Sequence, residues 1–384
     1  MPELVINVSN YVSPHCYSVL KAEPYTSCSF MCPYCYSRWY WRTAEVAPRY
    51  VAIRELRNFI KYVWRRDLRP IPVRLSTLSD PFQEIEKSLR YVLKVLELLI
   101  EWEYPVIVNT KSTLISEEPW ASLLKKLADL ELLLIQVSLP TIDSGLAKKL
   151  EPRVPEPRQR IKAVSQFSVN DVPVVVRLSP FIPGVSTAPS TEELAITLKE
   201  AGVKHVIVEG IRMPPNDLRD LLRKLGSTEE VKLQTYSLQS AGLAKVDVSS
   251  LLKYYRQLRT HLDLVGIKLG TCKEGLYSIE SALDCCGIYM IKAAALRPTL
   301  REIYRYLLDH GPVPTSELRD VLYSRICKSS RYLCGEELLE YPRDVAKYLI
   351  NHEKKLLKVA TNPQLLEKVC PSLKIQDLKL YPVR

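Results

Sequence analysis

The chain has 384 residues, of which 47% are hydrophobic and 25% charged, a composition typical of a globular protein. No apolar run reaches the length of a membrane-spanning helix, and the N-terminus lacks the pattern of a signal peptide. We therefore expect a cytoplasmic protein that does not enter the membrane. The formal net charge of +11 favours a polyanionic partner such as nucleic acid, or else a charge-rich surface of the kind found in some thermophiles.

Short apolar runs alternate with amphipathic stretches from the N-terminus to about residue 225. Repeated strand–helix units predict an α/β fold with a parallel sheet flanked by helices. Six units predict a partial TIM-type barrel, (β/α)6, whose chemistry lies at the carboxyl ends of the strands. The predicted strands are Cys16–Ala22, Val73–Ser76, Val106–Asn109, Leu132–Ser138, Val174–Leu178 and Val203–Glu209. The predicted helices are Ile53–Trp64, Lys87–Trp102, Pro119–Asp129, Arg158–Phe167, Thr191–Ala201 and Asn216–Leu225.

The rest of the chain changes character. A helix at Lys253–Leu264 and a short strand at Gly266–Gly270 are predicted before a cysteine-bearing loop. We expect the barrel to occupy residues 1–296 and a small, mostly α-helical domain to occupy 297–384. The helix–turn–helix order in that tail is compatible with a winged-helix module, which would bind nucleic acid, or with a helical bundle that covers the barrel. Its predicted helices are Thr299–His310, a second ending near Ile326, and Arg343–His352.

Three cysteines lie close together in YTSCSFMCPYCYSRWYW, spaced C-x3-C-x2-C: Cys28, Cys32 and Cys35. A structural zinc site needs four ligands, and the next cysteine along the chain is Cys272. We expect the ten cysteines to be reduced thiols or cluster ligands, because disulfides are rare in reducing compartments. A four-iron cluster has four corners, so three thiolates would leave one iron open to bind another molecule. The loop follows the first predicted strand, which places it at the catalytic end of the barrel.

The pattern C-x3-C-x-aromatic-C, with Tyr34 in the aromatic position, resembles the radical S-adenosylmethionine (SAM) enzymes. The resemblance implies that Cys28, Cys32 and Cys35 hold a [4Fe–4S] cluster whose open iron binds SAM. An electron from the cluster would then cleave SAM to methionine and a 5'-deoxyadenosyl radical, which abstracts a hydrogen atom. An electron donor such as ferredoxin or flavodoxin is implied as well.

The stretch RLSTLSDPFQEIE after the second predicted strand resembles the spore photoproduct lyase group and its wider set of DNA-repair-photolyase-like proteins. Their motif runs roughly S-x-x-x-D-P-[FY]-Q-x-x-E. The segments NTKS, EPR, RLSPFIPG and DCCG extend the resemblance over residues 15–290. The matching residues are Asp80, Pro81, Phe82, Gln83 and Glu86.

Four polar residues at predicted strand ends are candidates for contact with SAM, which needs donors for its carboxylate and acceptors for its amine and ribose. Ser76 and Thr77 occupy the place where other radical SAM enzymes carry a Gly-Gly-Glu stretch that helps to hold the amine. Lys111 matches a lysine that approaches the SAM carboxylate in the relatives; the alternative is a solvated surface lysine. Ser138 ends the fourth predicted strand, where the ribose or amine is held.

Arg177 lies inside an apolar strand, and a buried unpaired guanidinium would be costly. Its partner is expected to be the SAM carboxylate, Glu209 or Asp80. Glu151 and Arg153, in LEPRVPEPRQR, are expected to lock a loop through structural ion pairs.

A second set of cysteines lies downstream, with the spacing C-x12-C-C. Three interpretations stay open: ligands of an auxiliary iron–sulfur cluster, a hydrogen-atom donor, or buried thiols that pack as small hydrophobes. The donor cysteine of spore photoproduct lyase precedes the midpoint of the barrel, whereas this chain has no cysteine between Cys35 and Cys272. The set comprises Cys272, Cys285 and Cys286, with Cys327, Cys334 and Cys370 as candidates for further cluster ligands.

Residues 37–70 interleave basic and aromatic side chains directly after the cysteine loop, which suits a surface that binds phosphates and stacks on bases. The leading hypothesis is a radical SAM enzyme that modifies or repairs RNA or DNA. One alternative keeps the chemistry and changes the substrate to a peptide, lipid or small metabolite. Another is a nucleic-acid-binding iron–sulfur protein that does not cleave SAM. The basic residues are Arg38, Arg42, Arg49, Arg54, Arg57, Lys61, Arg65, Arg66 and Arg69, and the aromatic ones are Trp39, Tyr40, Trp41, Tyr50, Tyr62 and Trp64.

Overall fold

The computed structural model describes residues 4–6, 13–39, 41, 43–226, 232–235 and 243–383. Its strands are β1 (Leu20–Ala22), β2 (Val73–Leu75), β3 (Val106–Thr110), β4 (Leu133–Ser138), β5 (Val174–Phe181), β6 (His205–Gly210), β7 (Arg212–Met213), β8 (Leu233–Thr235), β9 (Ala244–Val246), β10 (Lys268–Thr271), β11 (Val313–Pro314), β12 (Leu373–Gln376) and β13 (Lys379–Pro382). Its helices are α1 (Tyr50–Arg65), α2 (Ile85–Leu89), α3 (Tyr91–Glu101), α4 (Trp120–Asp129), α5 (Ser144–Leu150), α6 (Pro157–Ser168), α7 (Thr191–Glu200), α8 (Pro215–Lys224), α9 (Val248–Leu264), α10 (Leu300–His310), α11 (Leu318–Ser324), α12 (Arg343–Ala360) and α13 (Pro363–Val369).

Seven parallel strands form the central sheet, in the order β1-β2-β3-β4-β5-β6-β10. The predicted partial TIM-type α/β barrel is confirmed, and the sheet gains β10 as a seventh strand beyond the six predicted units. The short strand predicted at Gly266–Gly270 corresponds to β10. Its place in the central sheet was not predicted, because β7, β9 and β8 form a separate antiparallel sheet that interrupts the strand–helix alternation before it. Lys268 pairs with His205, and the register continues to Thr271 opposite Val208.

The interior of the barrel is layered, because alternate residues of each strand face inward. The apolar layer near the amino ends contains Ile107, Leu134, Val175 and Ile207, which pack with the loop that bears Cys285 and Cys286. Two residues further along the same four strands come polar side chains, and these form the floor of the barrel mouth. They are Asn109, Gln136, Arg177 and Glu209.

The prediction of one helix over Lys87–Trp102 is wrong. The helix is divided into α2 and α3 at Arg90, whose φ is 48°. The cause is Glu86, a fully buried residue whose carboxylate accepts hydrogen bonds from the amides of Tyr91, Val92 and Leu93 at 2.9–3.0 Å. These amides begin α3 and lack partners within the helix, so a carboxylate in front of them favours a new helix start.

The C-terminal part packs around its own hydrophobic cluster, which includes Leu300, Leu318, Leu356 and Leu380. Its antiparallel sheet has the order β11-β13-β12. The order of its elements is that of a winged-helix module: helix α10, strand β11, further helices and a final hairpin. The boundary at residues 296/297 stays a prediction. The longest helix described is α12, with 18 residues, and no helix in the described part of the chain is long and apolar enough to cross a membrane.

The C-terminal part contacts the segment before β1 and the loop that follows β10, where the amide of Ser372 donates a hydrogen bond of 3.1 Å to the carbonyl of Gly275. Tyr17, which precedes β1, donates a hydrogen bond of 2.6 Å to Glu302. Arg331 pairs with Asp284 at 2.8 Å, and Arg297 donates to the carbonyl of Cys16 at 2.7 Å.

Gly270→Ala is expected to destabilise the protein by about 1–3 kcal/mol, because a side chain there overpacks the interior. A Cβ on Gly270 would lie 2.7 Å from the carbonyl oxygen of Cys285 and 2.9 Å from its Cα, and backbone atoms cannot turn away. Urea unfolding would measure the change. Gly145→Ala in α5 is the matched control, since its Cβ would meet only a side-chain oxygen of Asp143. Equal stabilities for the two variants would contradict the packing of β10 on the cysteine loop.

Candidate active site

The cysteine loop between β1 and α1 is fixed to the rest of the mouth by Gln83. The side chain of Gln83 accepts a hydrogen bond from the amide of Ser29 at 2.5 Å and donates one to the carbonyl of Ser27 at 3.0 Å. Within the loop, the amide of Cys35 donates to the carbonyl of Cys32 at 3.0 Å. Gln83 belongs to the D-P-F-Q-x-x-E stretch, so one role of that motif is to hold the loop in place.

The thiols of Cys28, Cys32 and Cys35 lie on one short loop, close enough for their charges to affect one another. Burial is the main cause that raises the pKa of Cys28 and of Cys32 to about 12, and the neighbouring thiols raise both further. The carboxylate of Asp80 acts on Cys28 and that of Glu151 on Cys32 in the same direction. The thiols of Cys28 and Cys32 are therefore protonated at neutral pH until a metal displaces the protons.

The donor set suits an iron–sulfur cluster by its chemistry. Within the described ranges, no three His, Cys, Asp or Glu side chains are arranged to hold a single metal ion. A four-iron cluster is different, because each thiolate binds its own iron corner. Three soft thiol ligands on one short loop fit such a cluster, with Cys28, Cys32 and Cys35 as the residues that would hold it.

Glu23, which directly follows β1, organises the turn of residues 76–79 and was missed in the sequence. It is fully buried. Its carboxylate accepts hydrogen bonds from the amide of Thr77 at 2.8 Å, from the amide of Leu78 at 3.0 Å, and from the hydroxyls of Ser76 and Thr77. Ser76 and Thr77 are thus at the mouth, as predicted, but their hydroxyls are occupied by Glu23. The signal that could have revealed it is an acidic residue at the end of an otherwise apolar strand.

The same turn is bound from the other side by the cysteine loop. The phenol of Tyr36 donates a hydrogen bond of 2.9 Å to the carbonyl of Thr77. The indole of Trp41 donates one of 3.0 Å to the carbonyl of Leu78. The loop and the turn therefore form one unit, and the indole nitrogen of Trp41 serves this contact.

Asp80 connects the turn to the end of β3. Its carboxylate accepts hydrogen bonds from the hydroxyl of Thr110 at 2.8 Å and from the amide of Lys111 at 2.6 Å. It also accepts one from the amide of Phe82 at 2.9 Å. Burial raises the pKa of Asp80, and these donors oppose the shift.

Glu151 is the hub of a buried ion network behind the cysteine loop. Lys111 pairs with it at 2.7 Å and Arg160 at 2.7 Å, and the phenol of Tyr34 donates to it. Burial alone would raise the pKa of Glu151, but Lys111 and Arg160 outweigh it and lower the pKa to about 2. The predicted structural role of Glu151 thus has Arg160, and not Arg153, as its arginine partner.

This network fixes two of the predicted cofactor-binding residues. The ammonium of Lys111 lies 5.5 Å from the ring centroid of Tyr34, and its side chain is 17% exposed, so it is not a solvated surface lysine. Its approach to a SAM carboxylate stays a prediction. Ser138 ends β4, and its carbonyl accepts a hydrogen bond of 2.7 Å from Arg160; its contact with SAM stays a prediction too.

The opposite wall of the mouth is built around Glu209. Arg177 pairs with Glu209 at 2.5 Å, so of the three partners considered for this arginine the structure has Glu209. Arg212 and Lys273 pair with the same carboxylate at 2.6 Å and 2.9 Å. Burial would raise the pKa of Glu209, but the three cations hold it well below the usual value. Arg212 and Lys273 were not recognised in the sequence.

The downstream thiols lie in the interior of the barrel below this wall. The sulfur of Cys272 is 3.9 Å from the guanidinium of Arg177, and the sulfurs of Cys285 and Cys286 are 3.5 Å apart. Burial raises the pKa of Cys272 to about 12. A hydrogen bond from Cys285, aided by Arg74 and Arg177, lowers the pKa of Cys286 to about 7.

Two of the cysteines considered as further cluster ligands are not free. Cys327 and Cys334 form a disulfide, so the expectation that all ten cysteines are thiols or cluster ligands is wrong for this pair. Cys370 packs in the C-terminal cluster, with its sulfur 3.7 Å from the carbonyl of Gly275. The auxiliary cluster on Cys272, Cys285 and Cys286 stays untested, and these thiols pack directly among apolar side chains.

The basic and aromatic segment divides into a structural part and an exposed part. The indole of Trp64 donates to the carbonyl of Trp102 at 2.7 Å, and Arg69 pairs with Glu337, so both are structural. Tyr40 and Arg42 lie outside the described residues. The exposed basic residues of the segment at α1 are Arg54, Arg57, Arg65 and Arg66.

Comparisons with known proteins bear on the family and the fold of this chain. Residues 22–189 match the family model described as the Radical SAM superfamily. Spore photoproduct lyase complexed with dinucleoside spore photoproduct is similar in structure, with a TM-score of 0.51 at 14% identity over 66% of this chain and 76% of that chain. A mutant of that enzyme with the same dinucleoside has a TM-score of 0.52 at 14% identity, with equal coverage.

A more distant structure is that of SuiB from Streptococcus suis bound to S-adenosylmethionine. Its TM-score is 0.37 at 13% identity, over 66% of this chain and 58% of that chain. The comparison with curated proteins gives no match. At 14% identity, the similarity to the spore photoproduct lyase structures shows the fold.

Glu151→Gln is expected to lower the free energy of unfolding of the apoprotein by about 3 kcal/mol at pH 7, because it leaves two buried cations without their carboxylate. The pKa of Glu151 is lowered from 4.5 to about 2 in the folded state. Its contribution is therefore complete above pH 4.5 and is lost as the pH falls towards 2. Urea unfolding at several pH values should show the two proteins converging in acid. Glu117→Gln, which changes an exposed pair with Lys87, should cost less than about 0.5 kcal/mol; a pH-independent difference for Glu151→Gln would contradict the ion network.

Proposed function

We propose that this chain, in which residues 22–189 are a radical SAM domain, is an enzyme that uses a [4Fe–4S] cluster and SAM to modify or repair nucleic acid. The superfamily indicated by the cysteine spacing is confirmed by the family match. The cluster, the substrate and the reaction on the substrate are the proposed part.

The cofactors would bind at the mouth of the barrel. When bound, the cluster and SAM would supply one-electron chemistry that ends in abstraction of a hydrogen atom from the substrate. Cys28, Cys32 and Cys35 would hold the cluster. The backbone of the 76–79 turn and Ser138 would accept hydrogen bonds from the amine and ribose of SAM. Lys111 would pair with the carboxylate of SAM.

The single observation that carries the proposal is that Cys28, Cys32 and Cys35 share one loop and that hydrogen bonds attach this loop to the strand ends. Gln83 forms hydrogen bonds with the backbone of the loop, and Tyr36 and Trp41 join the loop to the 76–79 turn by hydrogen bonds. Such fixed neighbours keep a cofactor oriented, and orientation supplies much of the catalytic effect in enzymes.

The substrate class is proposed from charge. Arg54, Arg57 and Arg65 are exposed on α1, at spacings that place them on one side of a helix. Helix α1 begins where the cysteine loop ends, so this basic ridge starts beside the mouth. Basic side chains in a row suit the phosphate backbone of a nucleic acid. The similar fold of an enzyme solved with a dinucleoside photoproduct is in keeping with this class.

We also place the enzyme in the cytoplasm, with a ferredoxin or flavodoxin as its electron donor. Such a donor would have to reach the cluster loop, which lies at the mouth. The electron-transfer protein and the substrate would therefore approach the same end of the barrel.

The proposed chemistry predicts about four irons per chain after anaerobic reconstitution and formation of 5'-deoxyadenosine when SAM and dithionite are added. Cys32→Ala should lose both the intact cluster and the product. Cys16→Ala is the matched control, because Cys16 lies before β1 and outside the loop, and it should retain both. Iron and sulfide analysis with chromatography of the nucleoside gives the result.

Other outcomes of that experiment have defined meanings. About eight irons per chain would make Cys272, Cys285 and Cys286 ligands of a second cluster. An intact cluster that never cleaves SAM, even with RNA or DNA present, would exclude the proposed enzyme and leave an iron–sulfur binding protein. If SAM is cleaved but no nucleic acid stimulates the cleavage, the substrate belongs to another chemical class.

The double variant Arg54→Gln/Arg57→Gln is expected to bind single-stranded oligonucleotides about 10-fold more weakly at low salt, because each arginine that neutralises a phosphate contributes to affinity. The slope of log affinity against log salt should fall by about 2, one for each phosphate contact. Fluorescence anisotropy with labelled RNA and DNA measures both quantities. Lys125→Gln on α4, an exposed lysine paired with Asp129, is the control. If the double variant binds the oligonucleotides with unchanged affinity, the basic ridge is not part of the binding surface.

A further inference from the structure

A dense group of cations lies at the carboxyl ends of β5, β6 and β10. Two carboxylates connect four cations there. Glu209 contacts Arg177, Arg212 and Lys273 at 2.5–2.9 Å, and Glu274 contacts Arg212 at 3.3 Å and Lys245 at 3.1 Å.

The two carboxylates have different environments. The side chain of Glu274 is fully buried and that of Lys245 is 8% exposed, so this pair belongs to the interior. The side chains around Glu209 become more exposed to solvent from Arg177 to Lys273. The side chain of Arg177 is 10% exposed, that of Arg212 is 12% exposed, and that of Lys273 is 25% exposed.

This cation group faces the cysteine loop across the mouth. Lys273 and Glu209 are among the charges that act on the phenol of Tyr36, the residue that follows Cys35. Cys272, which precedes Lys273, lies 3.9 Å from Arg177. A ligand held by Lys273 would therefore lie within the mouth, close to the place where a radical would form.

The backbone at Lys273 is also unusual. Its φ is 65°, in the left-handed region that residues other than glycine, asparagine and aspartate rarely adopt. Backbone conformations of this kind persist where the surrounding structure requires them, and they are common at functional sites. Here the conformation turns the chain sharply after β10, at the point where the lysine reaches Glu209.

The four cations outnumber the two carboxylates, so the group has an excess of positive charge, and an added anion would reduce the repulsion among the cations. A guanidinium has five N–H groups and an ammonium has three, so each of these cations can contact more than one acceptor at a time. Arginine matches the oxygens of a phosphate particularly well.

We propose that Arg177, Arg212 and Lys273 form a subsite for a phosphate group of the nucleic-acid substrate, across the mouth from the cysteine loop. This inference rests on the proposed function for the identity of the ligand, but not for the existence of an anion subsite. The subsite holds the backbone beside the nucleotide that reacts. The ridge on α1 then binds more distant phosphates, outside the mouth.

Lys273→Gln tests the subsite, because this lysine is the most exposed of the three and Glu209 keeps both arginines. The reconstituted holoenzyme is titrated with a labelled oligonucleotide, with inorganic pyrophosphate as a competing anion, and separately with SAM. Oligonucleotide affinity should fall about 5- to 10-fold, and the salt slope should fall by about 1. SAM affinity should not change. Lys273→Arg should restore binding, because it keeps the charge.

Lys268→Gln is the matched control, since Lys268 is an exposed residue at the amino end of the same strand. If Lys273→Gln and Lys268→Gln bind the oligonucleotide and pyrophosphate alike, the inference is overturned while the proposed function stands. It is overturned as well if Lys273→Gln weakens SAM and not the oligonucleotide, because the group then serves the cofactor. Pyrophosphate binding that depends on Lys273, without any oligonucleotide binding, supports the anion subsite and rejects nucleic acid as the substrate.

Discussion

Buried carboxylates at the carboxyl ends of the strands are the interaction on which this structure depends. A carboxylate removed from water is costly unless donors or cations replace the lost hydration. Each of these groups is therefore surrounded by fixed donors, and each joins segments that are distant in sequence. Glu23 gathers the 76–79 turn, Asp80 joins that turn to β3, Glu151 joins Lys111 to Arg160, and Glu209 joins β5 to β10.

The consequence is a mouth whose polar groups are mostly occupied with one another. Ser76 and Thr77 bind Glu23, Tyr34 binds Glu151, and Tyr36 binds the carbonyl of Thr77. Residues that resemble cofactor ligands in the sequence thus act first as supports for the cysteine loop and the turn. Fixed supports of this kind hold reacting groups in position without reorganisation during the reaction.

The two walls of the mouth differ in charge and in thiol chemistry. Behind the cysteine loop, Glu151 is matched by two cations in contact with it. Across the mouth, three cations share Glu209, and the thiols of Cys272, Cys285 and Cys286 lie below them. The wall around Glu151 holds the cysteine loop in place, whereas the wall around Glu209 has the positive charge to bind an anion. A cofactor between the walls would separate the cluster from the substrate backbone.

The sequence by itself determined the α/β barrel and the cysteine loop, because both depend on local patterns. The apolar strands occur where they were predicted, and three cysteines with fixed spacing must share one loop. It could not reveal that Glu86 divides a helix, that β10 completes the sheet, or that Cys327 and Cys334 are bonded. The same limit applies to the partner of Arg177, for which the sequence offered three choices, and to the roles of Glu23, Arg212 and Lys273. These features were decided by the tertiary structure, since the free energy of a buried charge depends on groups from distant parts of the chain that only folding brings into contact.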